Sequence, residues 1–301
     1  MGRWIPWIRA ARLRTLPLAL SCVMIAAFIA NESNEFDGWV FGWAVLTTIL
    51  LQILANFAND YGDAVNGADN SQRIGPERMV QSGAISLANM KKGITVTIGL
   101  TLLSGITLLF FSFGNWFSDV KVISLFVIGL ISIIAALKYT AGKNPYGYKA
   151  LGDLSVFVFF GIVGVLGNIF LYTHQVDLLN LLPAASIGAL SMAVLNLNNM
   201  RDRPEDAKVG KRTIPVLIGQ KNAKTYHVGL LMVALVCAVL YSVLADRVGF
   251  HLIFLIPFLF LSAHVVRVMN VELPKDFDPE LKKVALSTFV FSILFGVGLM
   301  L

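Results

Sequence analysis

Charge is what this chain has least of. Only 14% of its 301 residues are charged while 56% are hydrophobic, whereas a soluble domain carries about 25% charged residues. Water therefore cannot be the solvent for most of its surface. Cysteine is nearly absent as well. Cys22 and Cys237 stand alone in apolar runs, with neither metal spacing nor a disulfide framework. His174, His227, His251 and His264 are equally scattered and read as structural. No low-complexity linker or composition shift divides the chain, so 1–301 reads as a single integral-membrane domain.

Long apolar runs are what is abundant. Roughly 20 apolar residues in a helix cross the hydrocarbon core, and backbone in lipid must satisfy its own hydrogen bonds, leaving helices or a closed barrel. Barrel strands would alternate apolar with polar residues, and these runs are apolar all round. The expected fold is all-α: a polytopic membrane protein with about nine helices around a central cavity. The spans are expected near 16–30, 39–58, 93–113, 120–138, 151–172, 178–198, 226–245, 249–269 and 284–301. Pro17, Pro183 and Pro257 fall near helix starts, where a missing N–H costs little. Arg9, Arg12 and Arg14 ahead of the first run have the look of a signal peptide, but Ile25 to Ala30 lacks a clear A-x-A cleavage site.

The basic residues sort by side. With the N-terminus inside, the inner segments are the N-terminal tail and loops around 59–92, 138–150, 199–225 and 267–283. They hold 4, 4, 3, 7 and 4 Lys or Arg residues, or 22 of the 24. Only Lys121 and Arg247 fall outside, and the outer stretch from Glu32 to Asp37 is acidic. The net charge of +6 thus reads as the positive-inside signature, with N-in and C-out, and not as nucleic-acid binding. The expected location is a bacterial inner membrane, with the long charged loops facing the cytoplasm.

Two acid clusters end the second and sixth spans. In the first, Asn56, Asp60 and Asp63 are spaced i, i+4, i+7, which puts them on one helical face. In the second, Asn198, Asp202 and Asp206 repeat the spacing as i, i+4, i+8, with Pro204 expected to kink or end the helix and leave Asp206 on a loop. Each cluster follows an apolar helix ending in asparagines, a weak internal repeat that would let them face each other. Carboxylates gathered this way repel one another unless a cation intervenes. Carboxylate and amide oxygens suit Mg²⁺, which completes its octahedron with water and substrate phosphate. The bland alternative is a solvated helix end whose acids pair with Arg73, Arg78, Arg201 and Arg203. Lys138 and Tyr139 end the fourth span, and Lys208, Lys211 and Arg212 follow the second cluster; positive groups there could hold a diphosphate.

At these clusters the sequence resembles the UbiA-type superfamily of intramembrane aromatic prenyltransferases. The family motifs NxxxDxxD and DxxxD stand here as Asn56, Asp60, Asp63 and as Asp202, Asp206. Further likeness lies in Arg12-Leu13-Arg14-Thr15-Leu16-Pro17, Asn59-Asp60-Tyr61-Gly62-Asp63 with Gly67 and Asp69, and Gly75-Pro76-Glu77-Arg78 with Gln81-Ser82-Gly83. It continues in Tyr139-Thr140-Ala141-Gly142, Pro145-Tyr146, Gly152-Asp153 and Gly210-Lys211-Arg212-Thr213. These segments are most like the branch that prenylates 1,4-dihydroxy-2-naphthoate in menaquinone synthesis. Pro204 inside the second motif and the basic Arg212 depart from the pattern. The resemblance implies Mg²⁺ held by Asn56, Asp60, Asp63, Asn198, Asp202 and Asp206, and a polyprenyl diphosphate met by Arg12, Arg73, Lys138, Lys211 and Arg212. It implies Tyr139 as an aromatic face for the allylic cation, and a cavity open to membrane lipid. Other acceptors, such as 4-hydroxybenzoate or homogentisate, stay open. A transporter is the remote alternative, disfavoured because no carboxylate falls mid-span.

Overall fold

Where lipid forbids unsatisfied backbone, helices carry the chain. The computed structural model describes residues 4–67, 75–114 and 119–301; Asp69 and Arg73 lie outside them. In order the helices are α1 (Ile5–Ala11), α2 (Leu16–Glu32), α3 (Gly38–Val65), α4 (Leu87–Phe113), α5 (Val120–Lys138), α6 (Gly152–Val156), α7 (Asn168–Thr173), α8 (Leu181–Lys208), α9 (Ile214–Leu244), α10 (Leu255–Asn270) and α11 (Phe277–Met300). A π-helical stretch, Phe157–Gly167, joins α6 to α7 in one span. Among the described residues, nine helical segments are long and apolar enough to cross a membrane. The one β-bridge among the described residues joins Lys149 and Arg212.

Acidic side chains start several of these helices at the end opposite the clusters. The Asp37 carboxylate accepts from the N–H groups of Trp39 and Val40 at 2.7 and 3.0 Å, and Asp119 accepts from Lys121 N–H at 2.8 Å. Each satisfies a donor that the first helical turn cannot, and favours the positive end of the helix dipole. α8 lies at the centre of the bundle. Its Gly188 lets the π-helical stretch approach closely: a Cβ on Gly161 would lie 2.6 Å from the Ala184 carbonyl. Small residues at such crossings are the usual route to tight packing between membrane helices.

The helix ends differ from expectation. α3 runs to Val65, α8 to Lys208, and α9 begins at Ile214, where hydropathy had put 58, 198 and 226. Pro204 neither ends nor unwinds α8, so Asp206 is a helical residue. Proline removes one N–H, and a helix that remains packed on both sides tolerates that single loss near its end. The histidines are not all isolated either. His227 and His264 meet at 2.8 Å, and His264 Nδ1 meets Glu280 at 2.5 Å, tying α9, α10 and α11 together.

Candidate active site

Both acid clusters belong to the last turns of long helices, so their carboxylates reach the same region. Asp60 and Asp63 on α3 are 1% and 4% exposed, and Asp202 and Asp206 on α8 are 7% and 5%. Asp206 lies near enough to feel the charges of both Asp202 and Asp63. Four acids in one buried region need compensation, and the structure supplies it group by group. Asp60 accepts from the backbone N–H groups of Met79 and Val80 at 3.1 and 3.2 Å. Asp63 takes the guanidinium of Arg78 at 3.0 Å and the hydroxyl of Tyr148 at 2.8 Å. Arg201 forks onto both oxygens of Asp202 at 2.8 and 2.9 Å. The same guanidinium reaches Asn198 Oδ1 at 2.8 Å and Asp278 at 2.5 Å. Lys211 pairs with Asp206 at 3.4 Å and stands 5.3 Å above the Tyr148 ring.

Tyr148 therefore bridges the clusters, with its hydroxyl on one and its ring under the cation that serves the other. Its loop is stitched to the segment after α8: Arg212 N–H donates to the Tyr148 carbonyl at 3.0 Å and Ala150 N–H to the Arg212 carbonyl at 2.6 Å. Arg212 thus contributes backbone, and its side chain is exposed instead of joining the acids as expected. Lys138 is exposed at the end of α5. Asn56 donates to the Ala11 carbonyl at 2.9 Å and to Thr15 at 3.2 Å, so its amide nitrogen is committed to the α1–α2 connection. Arg12, in that connection, lies close enough to act on the charge of Asp60.

Beside the acids opens an apolar cavity of about 750 Å³. Its lining runs from Asn56, Asn59, Tyr139 and Tyr146 at the cluster end to Lys121 and Phe170 at the other. Tyr139 is held at the mouth by two glycines. A Cβ on Gly152 would lie 2.7 Å from the Tyr139 hydroxyl, and one on Gly147 would lie 3.1 Å from its ring. Tyr146 packs edge-on against it at 5.4 Å. Burial, reinforced by the charges of Asp153, Asp63 and Asp206, pushes the Tyr139 phenol well above its ordinary value, so it stays neutral. Burial raises Tyr146 too, although the bond to Ser155 opposes it. Neither Tyr148 nor Asp278 sits in a spacing pattern of the sequence, and only the tertiary fold brings them to the acids.

Mg²⁺ fits this donor set. Among the described residues no three His, Cys, Asp or Glu stand close enough together to hold an ion by themselves, so water and substrate phosphate would have to complete its shell. Oδ2 of Asp206 is buried without a hydrogen-bond partner among the described residues, an acceptor left over for a cation. Asp60, Asp63 and Asp202 carry further hard oxygens in the same region, each engaged here by a protein donor: the N–H groups of Met79 and Val80, Arg78 with Tyr148, and Arg201.

A helical membrane protein with paired acid clusters at one end of a lipid-sized apolar cavity is built to bring a charged head and a greasy tail to one place. The UbiA prenyltransferase family matches residues 19–297, and this chain belongs to that family. The 1,4-dihydroxy-2-naphthoate octaprenyltransferase of Haemophilus influenzae is 40% identical over 98% of this chain and 96% of its own. The protein of the same name from Escherichia coli is 39% identical over 100% and 97%. A UbiA homolog from Aeropyrum pernix superposes with a TM-score of 0.66 at 16% identity, over 96% of this chain and 98% of its own. A homolog from Archaeoglobus fulgidus bound to GPP and Mg²⁺ gives 0.63 at 14% identity, over 97% and 100%.

Proposed function

We propose that this protein transfers a polyprenyl group from polyprenyl diphosphate to 1,4-dihydroxy-2-naphthoate, releasing diphosphate and carbon dioxide and giving demethylmenaquinol for menaquinone synthesis. The supporting observation is that Asn56, Asn59 and Tyr139 line the apolar cavity, with Asp60 and Asp63 following on the same helix and Asp206 near enough to feel the charges of Asp63 and Asp202. The names and high identity of the relatives support the acceptor.

Mg²⁺ supplies charge neutralisation for the departing diphosphate, and Asp60, Asp63, Asp202 and Asp206 would hold it, flanked by Asn56 and Asn198. Lys211 and Lys138 add positive charge for phosphate oxygens, with Arg12 behind Asp60 and Arg73 as a further flanking cation, whereas Arg212 serves the site through its backbone. The C1–O bond of the prenyl diphosphate breaks with its electron pair going to oxygen. Tyr139 and Tyr146 present aromatic faces to the allylic cation, and the neutral Tyr139 phenol does not intercept it as a phenolate would. The cavity receives the tail and excludes water from C1. The electron-rich naphthoate ring then bonds to C1, and its carboxylate leaves as carbon dioxide. The acid-cluster side faces the cytoplasm of a bacterial inner membrane, as the sorting of basic residues supports.

Release of labelled carbon dioxide from carboxyl-labelled dihydroxynaphthoate, with a long prenyl diphosphate and Mg²⁺, tests the reading. Release that needs both Mg²⁺ and Asp60 is expected. Prenylation of 4-hydroxybenzoate without any release from the naphthoate would overturn the acceptor.

A further inference from the structure

The first membrane-spanning segment is broken in two instead of running through as one helix. Ile5–Glu32 counts 28 residues, roughly 42 Å at 1.5 Å per residue, against about 30 Å of hydrocarbon core. The structure breaks it at Arg12, a non-glycine residue in the left-handed region with φ 49° and ψ 56°. α2 is then the crossing segment, and α1 lies beyond it, at the acid-cluster end.

The two faces of α1 do different things. Trp7, Ala10 and Ala11 point inward, at i, i+3 and i+4. Trp7 meets Phe57 edge-on at 5.4 Å and fills the space where Gly93 of α4 lacks a Cβ, which would lie 2.5 Å from its ring. Phe57 adjoins Asn56, whose amide donates to the Ala11 carbonyl. The outward face is apolar and basic: Trp4 and Ile8 are 77% and 55% exposed. Arg9 is exposed, with Glu77 at 3.9 Å, at the outer limit of an ion pair. Lys91 and Lys92, also exposed, precede the glycine that receives Trp7. Aromatic and aliphatic groups flanked by three cations match the boundary between acyl chains and anionic headgroups.

We propose that the outward face of α1, with Arg9, Lys91 and Lys92, is a docking surface for anionic lipid headgroups, and that seating there steadies Asn56 and the first acid cluster. The coupling to the acids rests on the prenyl-transfer reading; the docking does not. Lipid is the occupant because the patch is at the rim of a membrane-crossing bundle and carries both an apolar wedge and positive charge.

Two measurements on the full chain test the two halves. In vesicles carrying brominated acyl chains, tryptophan fluorescence should be quenched more when the brominated lipid is phosphatidylglycerol than when it is phosphatidylcholine. Trp4→Phe, and separately the triple variant Arg9→Gln, Lys91→Gln, Lys92→Gln, should abolish that difference. Equal quenching by both lipids in the unaltered protein, or a difference that survives both variants, would overturn the docking surface. In nanodiscs, turnover should rise several-fold when phosphatidylglycerol is added to phosphatidylcholine, and the triple variant should hold the phosphatidylcholine rate in both. Turnover indifferent to lipid charge overturns the coupling alone. No turnover in either lipid or in detergent refutes the prenyl-transfer reading and removes the coupling with it, while the quenching result still decides the docking.

Discussion

Replace Arg201 with Gln, and the second acid cluster loses its counter-ion while most of the side-chain volume stays. Arg201 is 1% exposed and Asp202 7%, so the surviving carboxylate would be buried without compensation. Its two bonds to Asp202 and the one to Asp278 share one guanidinium and cannot be summed as independent terms. The better guide is the cost of breaking a buried pair by removing one partner, about 3–5 kcal/mol. At 1.4 kcal/mol per factor of ten, that is roughly two to four powers of ten in the unfolding equilibrium. Asp278, whose side chain is 38% exposed, can rehydrate and adds little. The assay is thermal unfolding in detergent followed by circular dichroism, because Cys237 is only half-buried and Cys22 lines the cavity, which rules out thiol reactivity as a reporter of opening. Arg201→Gln should melt far below the parent without Mg²⁺, and should gain more than the parent when Mg²⁺ is added. A variant that melts like the parent in the absence of Mg²⁺ would refute the assignment of Arg201 as the counter-ion.

Gly152→Ala places a methyl 2.7 Å from the Tyr139 hydroxyl; turnover should fall roughly a hundredfold, the penalty of about 1 Å of misplacement, with melting little changed. Tyr139 is raised by burial, and an unfolded tyrosine ionises near pH 10. The stabilisation from its neutral phenol is complete below about pH 10 and fades as pH climbs toward the folded value. The melting temperature should therefore drop in that alkaline range, and drop less in Tyr139→Phe. Ser132 faces the cavity from α5; Ser132→Phe should raise KM for a long prenyl diphosphate and spare a short one, measured by paired kinetics.

Hydropathy located the crossings because contact with lipid is a property of residue type alone. It misplaced their ends for the same reason: α3 and α8 continue as helices past their apolar stretches, and polar residues at 59–65 and 199–208 say nothing about where hydrogen bonding stops. The acids themselves were legible, since i, i+4, i+7 spacing predicts a shared face once helix is assumed. Pro204 stays inside α8 because the surrounding packing, and not proline's local preference, sets the outcome there.

Choosing the counter-ions was beyond the sequence. Arg73, Arg78, Arg201 and Arg203 were all near enough in the chain to serve, and charge type does not rank them. Arg73 lies outside the described residues. Arg78 takes Asp63 and Arg201 takes Asp202, while Arg203, two residues from Arg201, turns to the Pro215 carbonyl at 3.2 Å. Lys211 and Arg212 divide in the same way. They are adjacent and equally basic, yet Lys211 meets Asp206 and Arg212 points outward. Residues next to each other on extended backbone face opposite sides, so one bridge, Lys149 to Arg212, decides which cation serves the site. Asp278 lies 77 residues from Arg201 and enters only because α11 packs beside α8. The pattern of acids announces that cations are needed, but which ones arrive depends on helix rotation and loop register. Substitutions of Arg201 and Arg203, identical in chemistry and near neighbours in sequence, should therefore have very different effects on the site.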